Sequence, residues 1–162
     1  MKTFIRISLL QITLITILSL LFATGCNNNP AFDKTAARKT IESADSLFID
    51  LLDKGDATGL ANCYTTDALF MLPNAPSIQG RTNIQSAMMD FITSGATKMS
   101  VRINNVWGDE ETLISEGTMT FSTKEGQVVD KCKYITVYKK EEGRWKMFRD
   151  CYNSDLPLPA AK

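Results

Sequence analysis

Three segments in the first half of the chain carry apolar residues at the spacing of an amphipathic helix. The longest segment starts at Asp33, a good N-cap, and stops before Gly55, a residue type that commonly ends helices. Asp56 is placed to cap the segment that follows. The pattern predicts helices at Asp33–Lys54, Ala57–Tyr64 and Asn83–Thr93.

After Gly95 the spacing changes to the alternation of β-strands, separated by turns rich in Gly, Asp and Glu. A short apolar strand that ends at Pro73 and a brief edge segment precede the third helix. The predicted strands are Asp67–Leu72, Ser77–Gln79, Lys98–Trp107, Thr112–Thr123, Gln127–Lys140 and Arg144–Asn153. Helices followed by an antiparallel meander predict an α+β domain, with three N-terminal helices packed on one face of an antiparallel sheet.

The last predicted strand alternates between two kinds of side chain. Its two faces are Lys146, Phe148, Asp150 and Tyr152 on one side, and Trp145, Met147, Arg149 and Cys151 on the other. An acid between two aromatic residues on one face fits a pocket wall better than a plain core. We therefore expect this strand to form part of a binding site.

The turn before this strand sets which residues face it. A three-residue loop, Glu141–Gly143, with Gly143 in the left-handed conformation, pairs Lys140 with Arg144. A two-residue loop would instead set Cys132 against Cys151 and permit a disulfide. The turn chemistry favours the three-residue loop, which puts these two cysteines on opposite faces. The pairs it predicts are Thr136 with Phe148, Tyr134 with Asp150, and Cys132 with Tyr152.

The residue types exclude several kinds of chemistry. The chain has no histidine, which removes Ser-His-Asp and Cys-His nucleophiles and imidazole metal sites. Cys63, Cys132 and Cys151 fit no CxxC spacing, and at least one of the three stays free or pairs between chains. No glycine-rich phosphate loop is present. We therefore expect no metal and no cofactor, and proton transfer would fall to Asp, Glu, Tyr, Lys or Cys.

Residues 1–25 have the pattern of a secretory signal peptide: Lys2 and Arg6, an apolar run, then small residues before Cys26. This junction resembles a bacterial lipobox, which implies that Cys26 is acylated and that residues 26–32 form a tether. The alternative is an uncleaved membrane anchor, for which the apolar run is near the minimum length. Asn27 resembles the residue that directs Gram-negative lipoproteins to the outer membrane, so we expect a cell-envelope protein.

Lysine plus arginine and aspartate plus glutamate each number 18, and losing Lys2 and Arg6 with the signal leaves the rest slightly acidic. No basic stripe with interleaved aromatic residues is present, so nucleic acid is not an expected partner.

Five short motifs occur in the order found in one superfamily. They are Asp53–Asp56, Tyr64–Ala68, Ile78–Arg81, Gly143–Trp145 and Asp150–Asp155. Together they resemble the nuclear transport factor 2-like fold and, within it, the SnoaL-like branch of the domain of unknown function 4440 type. The resemblance spans residues 33–156, before a short tail at 157–162. It implies a curved sheet around a cone-shaped cavity capped by the long first helix.

The resemblance leaves the chemistry open, because this fold carries isomerases, dehydratases, cyclases, binding modules and oligomerisation domains. Ketosteroid isomerase, the best-understood enzyme of the group, has three catalytic positions that match Leu72, Phe48 and Thr136 here. In that enzyme these positions hold the general base, the oxyanion-hole tyrosine and a protonated aspartic acid. Leucine, phenylalanine and threonine cannot serve in those roles. That reaction is therefore not expected.

The implied cavity would be lined by residues of the first helix and the sheet: Phe48, Leu72, Trp107, Tyr134, Thr136, Phe148 and Tyr152. Asp150 is the leading polar group, and burial should raise its pKa into a range useful to a general acid or base. The competing interpretation is structural. Asp150 would then be satisfied by Tyr134 and a backbone amide, or would pair with Lys146 or Arg81.

The opposite face of the sheet carries an apolar stripe of Ile135, Val137, Trp145 and Met147. Exposed apolar stripes usually mark an interface, and relatives pair through their sheets, so we expect a homodimer. The leading function is a lipid-anchored envelope protein with a non-catalytic pocket for a small, largely apolar ligand. The alternatives are a cofactor-free lyase or isomerase using Asp150, and a structural dimerisation module with a filled interior.

Overall fold

The computed structural model describes residues 32–95 and 98–157. The predicted signal peptide and Cys26 lie outside the described residues. Within the described part, no helix combines the length and the apolar character needed to cross a bilayer.

Helix α1 is Lys34–Lys54, and its first amides are capped by the Asp33 carboxylate, which accepts from the backbone nitrogens of Thr35 and Ala36. It ends at Gly55, whose φ of 69° is left-handed. The two other described helices are α2, Ala57–Asn62, and α3, Arg81–Thr93. The second helix is shorter than predicted, because the chain is already extended at Tyr64.

Six strands form one sheet in the order β2-β1-β6-β5-β4-β3. Their bounds are β1 Tyr64–Met71, β2 Ile78–Gln79, β3 Lys98–Gly108, β4 Thr112–Ser122, β5 Val128–Glu141 and β6 Arg144–Ser154. Strands β3 to β6 form the predicted antiparallel meander, but β1 pairs with β6 in parallel. The sheet is therefore mixed, and the prediction of a wholly antiparallel sheet is wrong. Parallel pairing needs a long connection between the two strands, and here β2, α3 and strands β3 to β5 separate β1 from β6 along the chain.

Two clusters of buried side chains hold the helices to the sheet. One joins α1, α2 and α3 to β1 through residues that include Leu52, Leu60 and Ile84. The other packs Ile41 of α1 against the end of the meander, including Tyr138. Each buried aliphatic side chain of this kind stabilises the fold by about 1.5–3 kcal/mol.

The β5–β6 hairpin differs from the predicted register. Its turn has two residues, Glu142 and Gly143, with φ of 54° and 74°. Two consecutive left-handed residues match the twist of the flanking strands, and they bring Glu141 opposite Arg144. The observed partners further along are Thr136 with Asp150, Tyr134 with Tyr152 and Cys132 with Ser154. The prediction is therefore wrong: each of these β5 residues pairs with a β6 residue two positions later than predicted.

A bulge at Phe148 explains why the faces change along β6. Tyr138 pairs with Met147 and Val137 pairs with Arg149, so Phe148 has no partner on β5. The extra residue reverses the alternation. Met147 and Trp145 therefore share the inner face with Asp150 and Tyr152 instead of lying opposite them.

Because of this bulge, Trp145 and Met147 do not lie on the outer face of the sheet, where the sequence pattern placed them. Trp145 and Met147 pack against the core cluster around Tyr138, whereas Ile135 stays 45% exposed on the outer face. The three cysteines within the described residues are free.

Candidate functional site

The inner face of the sheet and the helices enclose a cavity of about 850 Å³. Most of its wall is apolar. Phe91 of α3 meets Phe121 of β4 edge to face, with ring centroids 5.2 Å apart, and Tyr152 of β6 contacts Phe121 and Phe70 at 5.9 and 6.0 Å. Such aromatic contacts fix the positions of the rings, so this part of the wall is preformed.

Six of the eight predicted pocket residues line this cavity: Phe48, Leu72, Tyr134, Thr136, Asp150 and Tyr152. Trp107 and Phe148 do not, and these two predictions are wrong. Trp107 pairs with Ile114 and has the opposite alternation from the buried Val106, which puts it on the other face. Phe148 is the bulged residue, and its ring lies under the Lys139 ammonium at 4.1 Å.

Asp150 is buried and held by two hydroxyl groups. The Tyr64 hydroxyl donates to Asp150 Oδ2 at 2.7 Å, and Thr136 Oγ1 donates to Asp150 Oδ1 at 2.9 Å. Burial raises the pKa of Asp150, and the two hydrogen bonds only partly oppose it. The donors are thus Tyr64 and Thr136, and not the predicted Tyr134 and backbone amide. Tyr64 was missed because the helical spacing of its segment continued to that residue.

Lys146 and Arg81, the other partners considered for Asp150, converge on Glu141 instead. Lys146 Nζ lies 2.8 Å from Glu141 Oε1, and the Arg81 guanidinium pairs with the same oxygen. The Thr66 amide donates to Glu141 Oε2 at 2.7 Å. These contacts, with Lys146 first, lower the pKa of Glu141 to about 2. One carboxylate thus joins β1, α3 and the hairpin.

Asp45 of α1 is a cavity residue that the sequence analysis did not single out. The Tyr138 hydroxyl donates to its Oδ1 at 3.4 Å, and its Oδ2 is buried with no hydrogen-bond partner within the described residues. Burial raises the pKa of Asp45 to about 6, against the Tyr138 hydrogen bond and with smaller contributions from Asp150 and Glu42. A signal existed in the sequence, because Asp45 stands four residues after Ile41 on the apolar side of the helix.

Tyr134 is a second polar residue of the cavity wall. Its hydroxyl is buried next to the hydroxyl of Ser115. Burial, followed by the charge of Asp45, raises the pKa of Tyr134 to about 12, so the hydroxyl keeps its proton at neutral pH. Gly117 makes room for the ring, since a Cβ there would lie 2.9 Å from a Tyr134 ring carbon.

The site therefore combines a large apolar wall with a small polar region. Both Asp150 oxygens accept hydrogen bonds, whereas Asp45 and Tyr134 line the cavity with Oδ2 and the hydroxyl buried among protein atoms. Among the described residues no cluster of three or more candidate metal-binding side chains occurs. The arrangement suits recognition of one polar group on an otherwise apolar molecule.

Solved structures of low sequence identity share this fold. A ketosteroid isomerase-like protein from Erwinia carotovora atroseptica aligns with a TM-score of 0.62 and 19% identity, over 74% of this chain and 96% of that one. A proposed dehydratase of the nuclear transport factor 2-like family from Streptomyces avermitilis aligns with a TM-score of 0.61 and 14% identity, over 74% and 96%. A protein of unknown function with a cystatin-like fold from Nostoc punctiforme gives 0.65 and 16%, over 76% and 95%.

These identities show a common fold and do not transfer an activity. A search among curated proteins finds no match. The family model for the SnoaL-like domain matches residues 46–148. That match covers more than half of the chain, which therefore belongs to the SnoaL-like family.

Proposed function

We propose that this chain binds a small, largely apolar molecule in its cavity without a cofactor and without transforming it. The observation that carries the proposal is the cavity itself. Its volume of about 850 Å³ lies within the usual range for small-molecule sites, and its wall is mainly aromatic and aliphatic. A purely structural domain with a filled interior would not have this space.

Plugging the cavity should abolish ligand binding. Met119 lines the wall, and Met119→Trp adds bulk where the ligand would lie. We expect any small molecule that raises the melting temperature of the wild type to lose at least about tenfold in affinity, equivalent to about 1.4 kcal/mol. Titration calorimetry measures the change.

The matched control is Met89→Trp. Met89 is 50% exposed on α3 and is not part of the cavity wall. This variant should bind like the wild type. Equal binding by both tryptophan variants would mean that the ligand lies elsewhere.

The second candidate is a cofactor-free lyase or isomerase, and one observation favours it. Burial raises the pKa of Asp45 to about 6, and its side chain lines an apolar cavity; a general acid or base needs a pKa of this kind. Asp45 is better placed than the predicted Asp150, whose two oxygens already accept hydrogen bonds. Nuclear magnetic resonance of a bound ligand over time tests this function, and an unchanged ligand spectrum argues for binding alone.

The N-terminal sequence also bears on where the protein lies in the cell. We infer that Cys26 is acylated and holds the domain at the outer membrane, with residues 26–32 as the tether. The support is the order of charged, apolar and small residues before Cys26. Mass spectrometry of the mature N-terminus tests the inference, and an unmodified or uncleaved N-terminus would contradict it.

A homodimer through the outer sheet face is the remaining part of the proposal. Ile135 is 45% exposed there, and Val137 shares its face. Trp145 and Met147 are not available to this interface, because both line the cavity. Sedimentation of the purified domain measures its oligomeric state, and a monomer at high concentration would exclude the dimer.

A further inference from the structure

The charged residues inside the cavity are already engaged by the chain itself. Lys146 Nζ lies 2.8 Å from Glu141 Oε1, so its ammonium group is paired. Both oxygens of Asp150 accept hydrogen bonds from hydroxyl groups of the chain, and Asp45 Oδ2 is enclosed by protein atoms. A charged ligand of either sign would therefore have to compete with a contact that the described part of the wall already makes.

The two remaining charged residues of the described wall are exposed. Asp90 of α3 is exposed, and the Arg144 side chain is 77% exposed on the hairpin. Removing a charged group from water without a new partner costs far more than removing a neutral one. The interior of the cavity therefore favours an uncharged ligand.

Four tyrosines line the cavity, and three of their hydroxyl groups are engaged or enclosed. Tyr64 donates to Asp150 Oδ2 at 2.7 Å, and Tyr138 donates to Asp45 Oδ1 at 3.4 Å. The Tyr134 hydroxyl is enclosed by protein atoms. None of these three hydroxyl groups is open to a ligand.

The hydroxyl group of Tyr152 differs from the other three. It makes no hydrogen bond to any described residue, and it is not among the enclosed polar atoms, since the side chain is only half-buried. Tyr152 pairs with Tyr134 on the inner face of the sheet, and its ring contacts Phe70 and Phe121. Burial is the main cause that raises the pKa of Tyr152 to about 12, so the phenol keeps its proton at neutral pH.

We propose that the ligand is an uncharged, largely apolar molecule with one oxygen group, and that the Tyr152 hydroxyl hydrogen-bonds to that oxygen. The inference rests on the proposed function, because it names the chemical class that the cavity binds. The phenol is a neutral donor on an aromatic wall, so it orients a ligand without requiring a charge on it. The apolar body of the ligand contacts the surrounding rings.

The test uses four probes with one apolar body: phenylbutanol, butylbenzene, phenylbutylamine and phenylbutyrate. At about pH 7.5 the amine and the carboxylate are both charged. Titration calorimetry compares their affinities for the wild-type chain. We expect the alcohol to bind at least about tenfold more tightly than either charged probe, because the cavity offers no unengaged counter-ion in its interior.

Tyr152→Phe should weaken binding of the alcohol about fivefold, the size expected for one net hydrogen bond. The matched control is butylbenzene, which has no oxygen and should bind the variant and the wild type alike. A general disturbance of the wall would weaken both probes, so their ratio isolates the hydrogen bond. Thermal unfolding should show no loss of stability, since the hydroxyl has no partner among the described residues.

The outcomes separate this inference from the function on which it rests. If a charged probe binds as tightly as the alcohol, the uncharged class is wrong. If Tyr152→Phe leaves the affinity for the alcohol unchanged, Tyr152 is not the contact. In both cases the cavity still binds small molecules and the proposed function stands.

Failure of all four probes leads to a thermal-shift screen of other small molecules. A compound whose binding is lost in Met119→Trp then replaces the alcohol in the comparison with Tyr152→Phe. A net charge on that compound, or equal affinity for the wild type and Tyr152→Phe, would overturn the inference. If no compound depends on Met119, the proposed function fails as well.

Discussion

Replacing Gly117 by alanine should destabilise the domain by about 3 kcal/mol or more, the range of substitutions that force backbone movement in a core. Gly117 lies in β4 opposite a bulge of β3, where the pairing shifts between Ile103 and Asn105. A Cβ on Gly117 would overlap the Arg102 carbonyl oxygen, and only a displacement of β3 would relieve the contact. Urea unfolding measures the loss.

Thr118→Ala is the control for this change, since Thr118 is the exposed neighbour of Gly117 in the same strand. It should shift the free energy of unfolding by about 0.5 kcal/mol or less. The Gly117 variant should also disturb Tyr134, whose ring carbon lies 2.9 Å from the added atom. A Gly117→Ala protein as stable as the wild type would show that β3 moves freely and that the close contact with the Arg102 carbonyl oxygen is not a constraint.

Asp45→Asn should stabilise the domain at neutral pH. The pKa of Asp45 is raised from its ordinary value of 3.8 to about 6 in the folded chain, mainly by burial. The folded state therefore holds the proton more tightly than the unfolded state does. Stability from that proton is fully present below pH 3.8 and is lost as the pH rises through about 6. Asparagine keeps an acceptor for Tyr138 and carries no charge.

The full shift corresponds to about 3 kcal/mol at 1.36 kcal/mol per pH unit, and partial exposure of Asp45 reduces the expected gain to about 1–2 kcal/mol. Thermal unfolding of both proteins across the acid range measures it. The difference should be absent below about pH 4, grow as the pH rises from about 4 to about 6, and be complete above about pH 6. A difference independent of pH would mean that the substitution acts through packing and not through the charge.

The helices and the meander were predictable because local residues determine them. Asp33, Gly55 and Asp56 stop and start helices through their own backbone and side-chain contacts, which a sequence displays directly. The end of the second helix was harder to predict from the sequence. Tyr64 fits a helical spacing, and only its pairing with Met147 in the sheet decides that it is extended.

The register of the last hairpin could not be read from the turn residues. Glu142 adopts a left-handed conformation that its residue type does not favour. The bulge lies at Phe148, and no glycine marks that position in the sequence. Asp150 was recognised as important, yet its donor Tyr64 lies 86 residues away in the chain. Contacts of that kind depend on the assembled sheet.

The bulge at Phe148 gives β6 a capacity that a regular strand lacks. A strand of constant alternation would present to the ligand either Trp145 and Met147 or Asp150 and Tyr152, but not both pairs. Deletion of Phe148 would remove the bulge and leave Val137 paired with Arg149 and Thr136 with Asp150, so Asp150 and Tyr152 would stay at the cavity. The length of β6 can therefore change by this one residue without altering which of its side chains form the cavity wall.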